Sequence, residues 1–126
     1  MSRFQTQIHL YFSNMQSTEI WNPLSVTEIC EILKNSEFPF WISGGYAIDL
    51  FLGKQTRQHD DLDISINRVH QLYFQKQLSK WELKASNPPG SGKLVDWTSE
   101  EYLDSPVYNI WAREKMTTSW NFEIML

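Results

Sequence analysis

Apolar and polar residues alternate most regularly in residues 61–67. Leu62, Ile64 and Ile66 fall on one side of an extended chain, and the other side carries Asp61, Asp63, Ser65 and Asn67. Strict alternation of this kind is typical of a strand with one buried face and one polar face. We therefore expect a strand here that presents carboxylates on its open side.

Helical spacing dominates much of the chain before this strand. Ser25 and Glu28 match a capping box that opens a helix predicted to run to about residue 35. A short buried strand is predicted over residues 40–43. A short buried helix is then predicted over residues 46–52, which is apolar on nearly all sides except at Asp49.

Downstream of residue 67 the pattern predicts one more helix. Asn67 is a suitable cap for a helix that runs from residue 68 to about residue 80. The residues expected to face inward are Val69, Leu72, Tyr73 and Leu78.

Strands dominate the rest of the chain. They are predicted over residues 81–85, 108–112 and 120–126, and residues 1–24 show no firm periodicity. The element order predicts a mixed α/β (α+β) fold, in which a short central mixed sheet is flanked by helices. The length of 126 residues fits a single domain, residues 1–126.

Two motifs near the middle of the chain carry candidate chemistry. Ser43-Gly44-Gly45 precedes a predicted helix, and backbone N–H groups at a helix N-terminus bind phosphate. Asp61 and Asp63 lie two residues apart on one strand face, where both can hold one divalent cation. A glycine pair alone is most often a simple turn, and a polar strand face is often merely solvated. Their order along the chain favours a nucleotide and metal site.

A third carboxylate is expected for such a site, and Glu123 is the best candidate. It lies in the middle of an otherwise largely apolar predicted strand, where an unpaired charge is costly. A solvated position on a strand face is an equally good explanation of this residue. The alternatives from loop-like segments are Asp96, Asp104 and Glu114.

Basic residues lie between the two motifs. Lys54 and Arg57 are placed to meet a triphosphate, with solvated loop charges as the alternative. His59 is more readily explained by hydrogen bonding to the backbone than by metal ligation. The Gly92-Lys93 pair is not a P-loop, because Asn87 and Leu94 occupy positions that require Gly and Ser or Thr.

The amino-acid composition limits the classes of binding partner and the cellular compartment that we expect. The net charge of −4 argues against nucleic acid and favours a neutral or cationic small molecule. A single cysteine excludes a disulfide within the chain and fits a reducing compartment. No apolar run is long enough to span a membrane, and residues 1–14 lack a signal-peptide apolar region. We expect a cytoplasmic protein.

The chain ends on an apolar strand pattern with no polar tail. Residues 120–126 read WNFEIML, and we expect that C-terminal elements are lacking and that this strand leaves an exposed edge. Self-association, for instance as a homodimer, would be one consequence.

The central segment resembles a known family. GGYAIDLFLGKQTRQHDDLDI, residues 44–64, is similar to the signature of nucleotidyltransferases that adenylylate aminoglycosides at the 2″ position, and of lincosamide nucleotidyltransferases. These belong to the polymerase-β-like nucleotidyltransferase superfamily. The close match covers residues 41–66, about a fifth of the chain.

The resemblance implies a nucleotidyltransferase fold and a set of roles. Ser43, Gly44 and Gly45 would contact nucleotide phosphates, Asp61 and Asp63 would bind Mg²⁺, and an acid such as Glu123 would complete the set or act as base. The implied co-substrate is a nucleoside triphosphate, usually ATP, and the implied acceptor is a hydroxyl of a small molecule. Two alternatives stay open: a non-catalytic protein of this fold that binds nucleotide or a partner, and an enzyme that modifies a macromolecule.

Overall fold

A six-stranded mixed sheet forms the centre of the computed structural model, which describes residues 20–126. The strands are β1 (Ile20–Trp21), β2 (Phe40–Ser43), β3 (Asp63–Ile66), β4 (Trp81–Ser86), β5 (Leu94–Asp96), β6 (Asn109–Glu114), β7 (Ser119–Trp120) and β8 (Phe122–Met125). The helices are α1 (Val26–Ile32), α2 (Gly44–Leu52) and α3 (Gln71–Gln77), and a 3₁₀ turn (Arg68–His70) precedes α3.

The strand order in the sheet is β2-β3-β8-β6-β4-β5. Strands β3 and β8 run parallel, and every other neighbouring pair in this sheet is antiparallel. Strands β1 and β7 form a separate parallel pair. The prediction of a mixed α/β fold with a central mixed sheet is therefore confirmed.

One face of the sheet is the hydrophobic core. Ile64, Ile124, Ile110 and Ala85 lie opposite one another on successive strands, and all are fully or almost fully buried. Ile29 of α1 and Phe74 of α3 belong to the same buried cluster. Burial of several large apolar side chains, each worth about 1.5–3 kcal/mol, fixes which face of each strand turns inward.

The opposite face carries a row of mainly polar residues. Successive strands place Ser43, Asp63, Glu123, Trp111, Lys84 and Asp96 directly opposite one another. Because paired residues on neighbouring strands point to the same side of a sheet, this row lies on the open face.

The first predicted helix is confirmed together with its cap. The Ser25 N–H donates to Glu28 Oε1 at 2.9 Å, and the Glu28 N–H donates to Ser25 Oγ at 3.0 Å. The helix ends at Ile32, slightly earlier than residue 35.

The predicted burial of residues 40–52 is wrong. Strand β2 is an edge strand, and its Trp41 is 53% exposed. In α2 the apolar residues Ile48, Leu50, Phe51 and Leu52 are exposed, and Asp49 is the buried side chain. The apolar character of this segment predicted a buried helix with Asp49 as its one polar exception. Hydrogen bonds from the following loop hold it inward instead.

Two further predictions need correction. Residues 68–80 form the 3₁₀ turn and the shorter α3, in which Phe74 is buried, whereas the predicted inward residue Val69 is 66% exposed. Strand β8 leaves no exposed edge, because it lies between β3 and β6 in the middle of the sheet.

Some predictions concern residues that the structure does not describe. Two predictions concern this part of the chain: that residues 1–14 contain no signal peptide, and that residues 1–24 show no firm periodicity. Residues 1–19 lie outside the described part of the chain. Within residues 20–126, no helix combines the length and apolar character that a membrane crossing requires.

Candidate functional site

Three carboxylates meet on the open face of the sheet. Asp63 begins β3, Asp61 precedes it by two residues, and Glu123 lies directly opposite Asp63 on β8. Each offers one carboxylate oxygen, and these three oxygens all lie within 4.8 Å of one another. The parallel pairing of β3 with β8 produces this meeting, since it joins acids 60 positions apart in the sequence.

The three acids repel one another. Burial raises the pKa of Asp63, and the nearby charge of Asp61 raises it further. Burial is also the main cause that raises the pKa of Glu123, to about 8, and the charges of Asp63 and Asp61 add to it. A hydrogen bond from Asn109 acts in the opposite direction.

This donor set fits a divalent cation. Oδ1 of Asp63 is buried, and no residue in 20–126 donates a hydrogen bond to it. Hard cations such as Mg²⁺ prefer carboxylate oxygens, and a bound cation would offset both the repulsion and the unpartnered oxygen.

The glycine pair at the start of α2 contacts the acidic cluster directly. Gly44 has φ +64°, and a Cβ there would overlap the Asp63 carboxylate. A Cβ at Gly45 would lie 2.5 Å from Nδ1 of His59 and 3.2 Å from Nη2 of Arg57. The two glycines therefore let an acid and two basic side chains approach the N-terminus of one helix.

The side chain of Ser43, the residue before the glycines, does not cap the N-terminus of α2. Ser43 is the N-cap of α2 but makes no capping hydrogen bond, and its Oγ instead accepts a bond from Ser65 Oγ at 3.1 Å. The first N–H groups of a helix have no partner within the helix, so they remain suited to an anion.

A second acid, Asp49, organises the loop behind the glycines. It accepts hydrogen bonds from the Thr56 N–H at 3.1 Å, from Thr56 Oγ1 at 2.6 Å and from His59 Nε2 at 2.6 Å. The bond from the Thr56 hydroxyl is the main cause that holds the pKa of Asp49 below its ordinary value. Since an ionised carboxylate only accepts hydrogen bonds, Nε2 of His59 carries a hydrogen.

The three basic residues of this loop, Lys54, Arg57 and His59, have three different surroundings. Among the described residues, His59 is not part of the cluster of Asp61, Asp63 and Glu123. Its ring is buried beside Gly45 and Tyr46. Arg57 reaches Gly45, and its Nη1 also donates to the Gln58 carbonyl. Lys54 lies exposed just after α2, and the described contacts tie only its backbone N–H, to the Asp49 carbonyl.

The alternative third acids lie elsewhere. Asp96 is on the far edge strand β5, where it forms an ion pair with Lys84 at 3.2 Å. Glu114 ends β6, and neither it nor Asp104 belongs to the carboxylate group found within residues 20–126.

Sequence reasoning missed one polar neighbour of the site, Asn109. Its Nδ2 donates to Glu123 Oε1 at 2.8 Å, and its Oδ1 accepts from Trp111 Nε1 at 2.8 Å. These contacts depend on the pairing of β6 with β8, which the local sequence pattern does not reveal.

Comparison with known proteins points to one family. The sequence model described as aminoglycoside-2″-adenylyltransferase matches residues 25–99, which contain the glycine pair and the first two acids. No solved structure shows a significant match to this chain.

Curated proteins match over shorter segments. A lincosamide resistance protein of Staphylococcus haemolyticus is 33% identical over 54 residues, which cover 43% of this chain and 32% of that protein. A 2″-aminoglycoside nucleotidyltransferase of Klebsiella pneumoniae is 49% identical over 43 residues, which cover 32% of this chain and 24% of that protein. A protein of the same description from Escherichia coli matches with the same identity and coverage. The matched segments thus span about a quarter to a third of the length of these relatives.

Proposed function

The chain belongs to the aminoglycoside-2″-adenylyltransferase family, and on that basis we propose that it acts as a Mg²⁺-dependent nucleotidyltransferase. The reaction transfers a nucleoside monophosphate, AMP from ATP, to a hydroxyl of a small molecule. The acceptor is of the aminoglycoside or lincosamide type, which are the classes named in the descriptions of its relatives.

The observation that carries this proposal is the meeting of Asp61, Asp63 and Glu123 beside an open helix N-terminus. A cluster of carboxylates alone is common on protein surfaces. Here it lies against Gly44, so that a bound cation and bound phosphate would be neighbours. Nucleotidyl transfer requires that combination.

The phosphate groups are assigned to the turn and its basic neighbours. Ser43, Gly44 and Gly45 provide backbone N–H groups, and Arg57 provides a guanidinium next to Gly45. Lys54 is assigned to the same triphosphate as a longer-range charge.

The acids are assigned to the metal and to proton transfer. Asp61, Asp63 and Glu123 would hold Mg²⁺, which when bound neutralises charge on triphosphate oxygens. The acceptor oxygen forms a bond to the α-phosphorus, and the bond to the bridging oxygen breaks to release pyrophosphate. Glu123 accepts the proton of the acceptor hydroxyl, because its carboxylate lies beside the other two acids and would be ionised when the cation is bound.

Charge supports the choice of acceptor class. With a net charge of −4 and an acidic cluster on the open sheet face, the protein attracts a polycationic acceptor more readily than a nucleic acid. The single cysteine supports assignment to the cytoplasm, and a homodimer stays a prediction for light scattering to test.

A turnover assay tests the proposal. The 126-residue chain is incubated with Mg²⁺, ATP or another nucleoside triphosphate, and panels of aminoglycosides and lincosamides, and acceptor-dependent pyrophosphate release is measured. The matched control is the Asp61→Asn/Asp63→Asn double variant, which we expect to be inactive.

The other outcomes identify the alternatives. Cation-dependent nucleotide binding without transfer to any acceptor would favour a non-catalytic nucleotide-binding or partner-binding protein. Label from α-labelled ATP that appears only on added protein or tRNA would favour an enzyme that modifies a macromolecule. Either result would overturn the proposed acceptor class.

A further inference from the structure

We propose that Asn109 is a positioning residue for Glu123, and that Trp111 sets the direction in which the Asn109 amide points. This inference rests on the proposed function, because it assumes that Glu123 serves the cation site. It adds two residues on β6 that act through Glu123 and not on the substrate.

The direction of the Asn109 amide follows from its partner on the same strand. An indole N–H only donates, so the amide oxygen of Asn109 must face Trp111 Nε1, to which it is bonded at 2.8 Å. The amide NH₂ must then face the opposite way, toward Glu123 Oε1 at 2.8 Å. Trp111 therefore excludes the flipped amide, which would turn one oxygen toward another.

All hydrogen-bonding groups of this amide have partners. Nδ2 donates to Glu123 Oε1, and it also lies 3.2 Å from Sδ of Met125, the residue paired with Asn109 across the sheet. Since a fully satisfied amide has little reason to rotate, it holds one Glu123 oxygen in place. The second carboxylate oxygen of Glu123 remains to meet a cation or accept a proton.

The indole that directs the amide is itself held by two other rings. Trp21 packs against Trp111 edge-on, with 5.0 Å between ring centroids. Trp120 packs against it in a similar way at 5.6 Å. The aromatic packing thus fixes Trp111, Trp111 fixes the Asn109 amide, and the amide fixes Glu123.

These contacts hold the Glu123 carboxylate in one orientation, with its second oxygen free to bind a cation. Among residues 20–126, Asn109 is the side chain whose donated hydrogen bond holds Glu123 Oε1 in place. Groups that hydrogen-bond to metal-ligating carboxylates raise metal affinity because they hold the ligand in its binding orientation. Asn109 and Trp111 are therefore expected to affect cation affinity although neither touches the cation.

Calorimetric titration of Mn²⁺ into the 126-residue chain tests this inference. Asn109→Leu removes the donor, and we expect about 10-fold weaker binding. Trp111→Phe keeps an aromatic ring but loses the indole N–H, and we expect about 3-fold weaker binding. The control Trp97→Phe also removes a bonded indole N–H, but one that donates to the Glu101 carbonyl and not to a residue of the cation site, and it should leave the affinity within about 1.5-fold of wild type.

The double variant Asn109→Leu/Trp111→Phe distinguishes positioning from general damage. If Trp111 acts only through the amide, the double variant binds Mn²⁺ as weakly as Asn109→Leu alone, and the two effects do not multiply. Independent loss of packing would multiply the effects and would lower the melting temperature of the metal-free protein in parallel. If Asn109→Leu does not fold, the contrast between Trp111→Phe and Trp97→Phe decides alone.

Glu123→Gln separates failure of this inference from failure of the proposed function. If Glu123→Gln binds Mn²⁺ more weakly while Asn109→Leu and Trp111→Phe stay within twofold of wild type, only the positioning role is overturned. If Glu123→Gln binds Mn²⁺ as tightly as wild type, Glu123 does not serve the cation, and both are overturned.

Discussion

Two carboxylate environments lie on either side of the glycine pair, and they are built in opposite ways. Asp49 is surrounded by donors from Thr56 and His59, which lower its pKa. Asp63 and Glu123 face each other and Asp61, and burial and like charge raise their pKa values. The first carboxylate has its hydrogen-bond donors within the protein, whereas in the second group Oδ1 of Asp63 is buried without a donor from residues 20–126.

The glycines connect the two environments. Gly44 makes room for the Asp63 carboxylate, and Gly45 makes room for the His59 ring that Asp49 holds. A satisfied acid thus fixes the loop, and unsatisfied acids are left for a ligand. Burial alone does not distinguish the two environments; the hydrogen-bond partners of each carboxylate do.

The largest expected effect is on cation binding at the unsatisfied acids. We expect Asp61→Asn or Asp63→Asn to weaken Mg²⁺ binding by about 100-fold, because each removes a charged ligand. Metal-free stability should be unchanged or slightly higher, since repulsion within the cluster is relieved. Calorimetric titration and thermal melting measure the two quantities, with the exposed neighbour variant Asp60→Asn as control. Variants that melt far below wild type without metal would show that the pair is structural.

Substitution of Asp49, whose carboxylate has hydrogen-bond donors within the protein, should instead affect stability more than cation binding. Asp49→Ala removes the acceptor of three hydrogen bonds, and we expect the melting temperature to fall by about 5–10 °C. Its Mg²⁺ affinity should fall much less than that of Asp63→Asn. The comparison breaks down if Asp49→Ala melts like wild type and loses cation binding as completely as the cluster variants do. Asp60→Ala, in the same loop, serves as the matched control.

Gly44→Ala should affect both properties to an intermediate extent. The left-handed backbone at φ +64° costs an alanine about 1–2 kcal/mol, and its Cβ would displace the Asp63 carboxylate. We expect lower stability together with weaker Mg²⁺ binding. Gly53→Ala is a useful control, because Gly53 also has positive φ (+74°) but has open space around it. Equal loss of cation affinity in both variants would show that backbone strain, and not contact with Asp63, is responsible.

The smallest expected effect is on the pH dependence of stability. The folded chain keeps the Glu123 proton up to about pH 8, whereas an ordinary Glu loses it near 4.5. The folded state therefore binds more protons in this window, and metal-free stability should fall as pH rises from 5 to 8. We expect a loss of about 1–2 kcal/mol, reduced from the full shift because the carboxylate is partly solvated. Glu123→Gln should remove this slope, and a slope that persists in the variant would assign it to other groups.

Local patterns in the sequence predicted the polar strand well. The alternation of Leu62, Ile64 and Ile66 with acids and polar residues depends on neighbouring positions only, and the structure buries all three. The capping box of α1 is equally local. Such features follow from the chain itself, because each is decided within four residues.

Features that depend on distant partners escaped the sequence pattern. The burial of Asp49 requires Thr56 and His59 of the following loop as hydrogen-bond donors. The bond from Asn109 to Glu123 requires the register of β6 on β8. Periodicity gives no information about either contact, since both join residues that are not neighbours in the sequence.

We propose that Asp61, Asp63 and Glu123 form one cation site. Anomalous diffraction from crystals of the chain soaked with Mn²⁺ and a non-hydrolysable ATP analogue tests it most directly. We expect a peak with oxygens of all three carboxylates about 2.0–2.6 Å away, and with nucleotide phosphate beside Gly44 and Gly45. A peak elsewhere, or one that leaves Glu123 outside this distance, would contradict it.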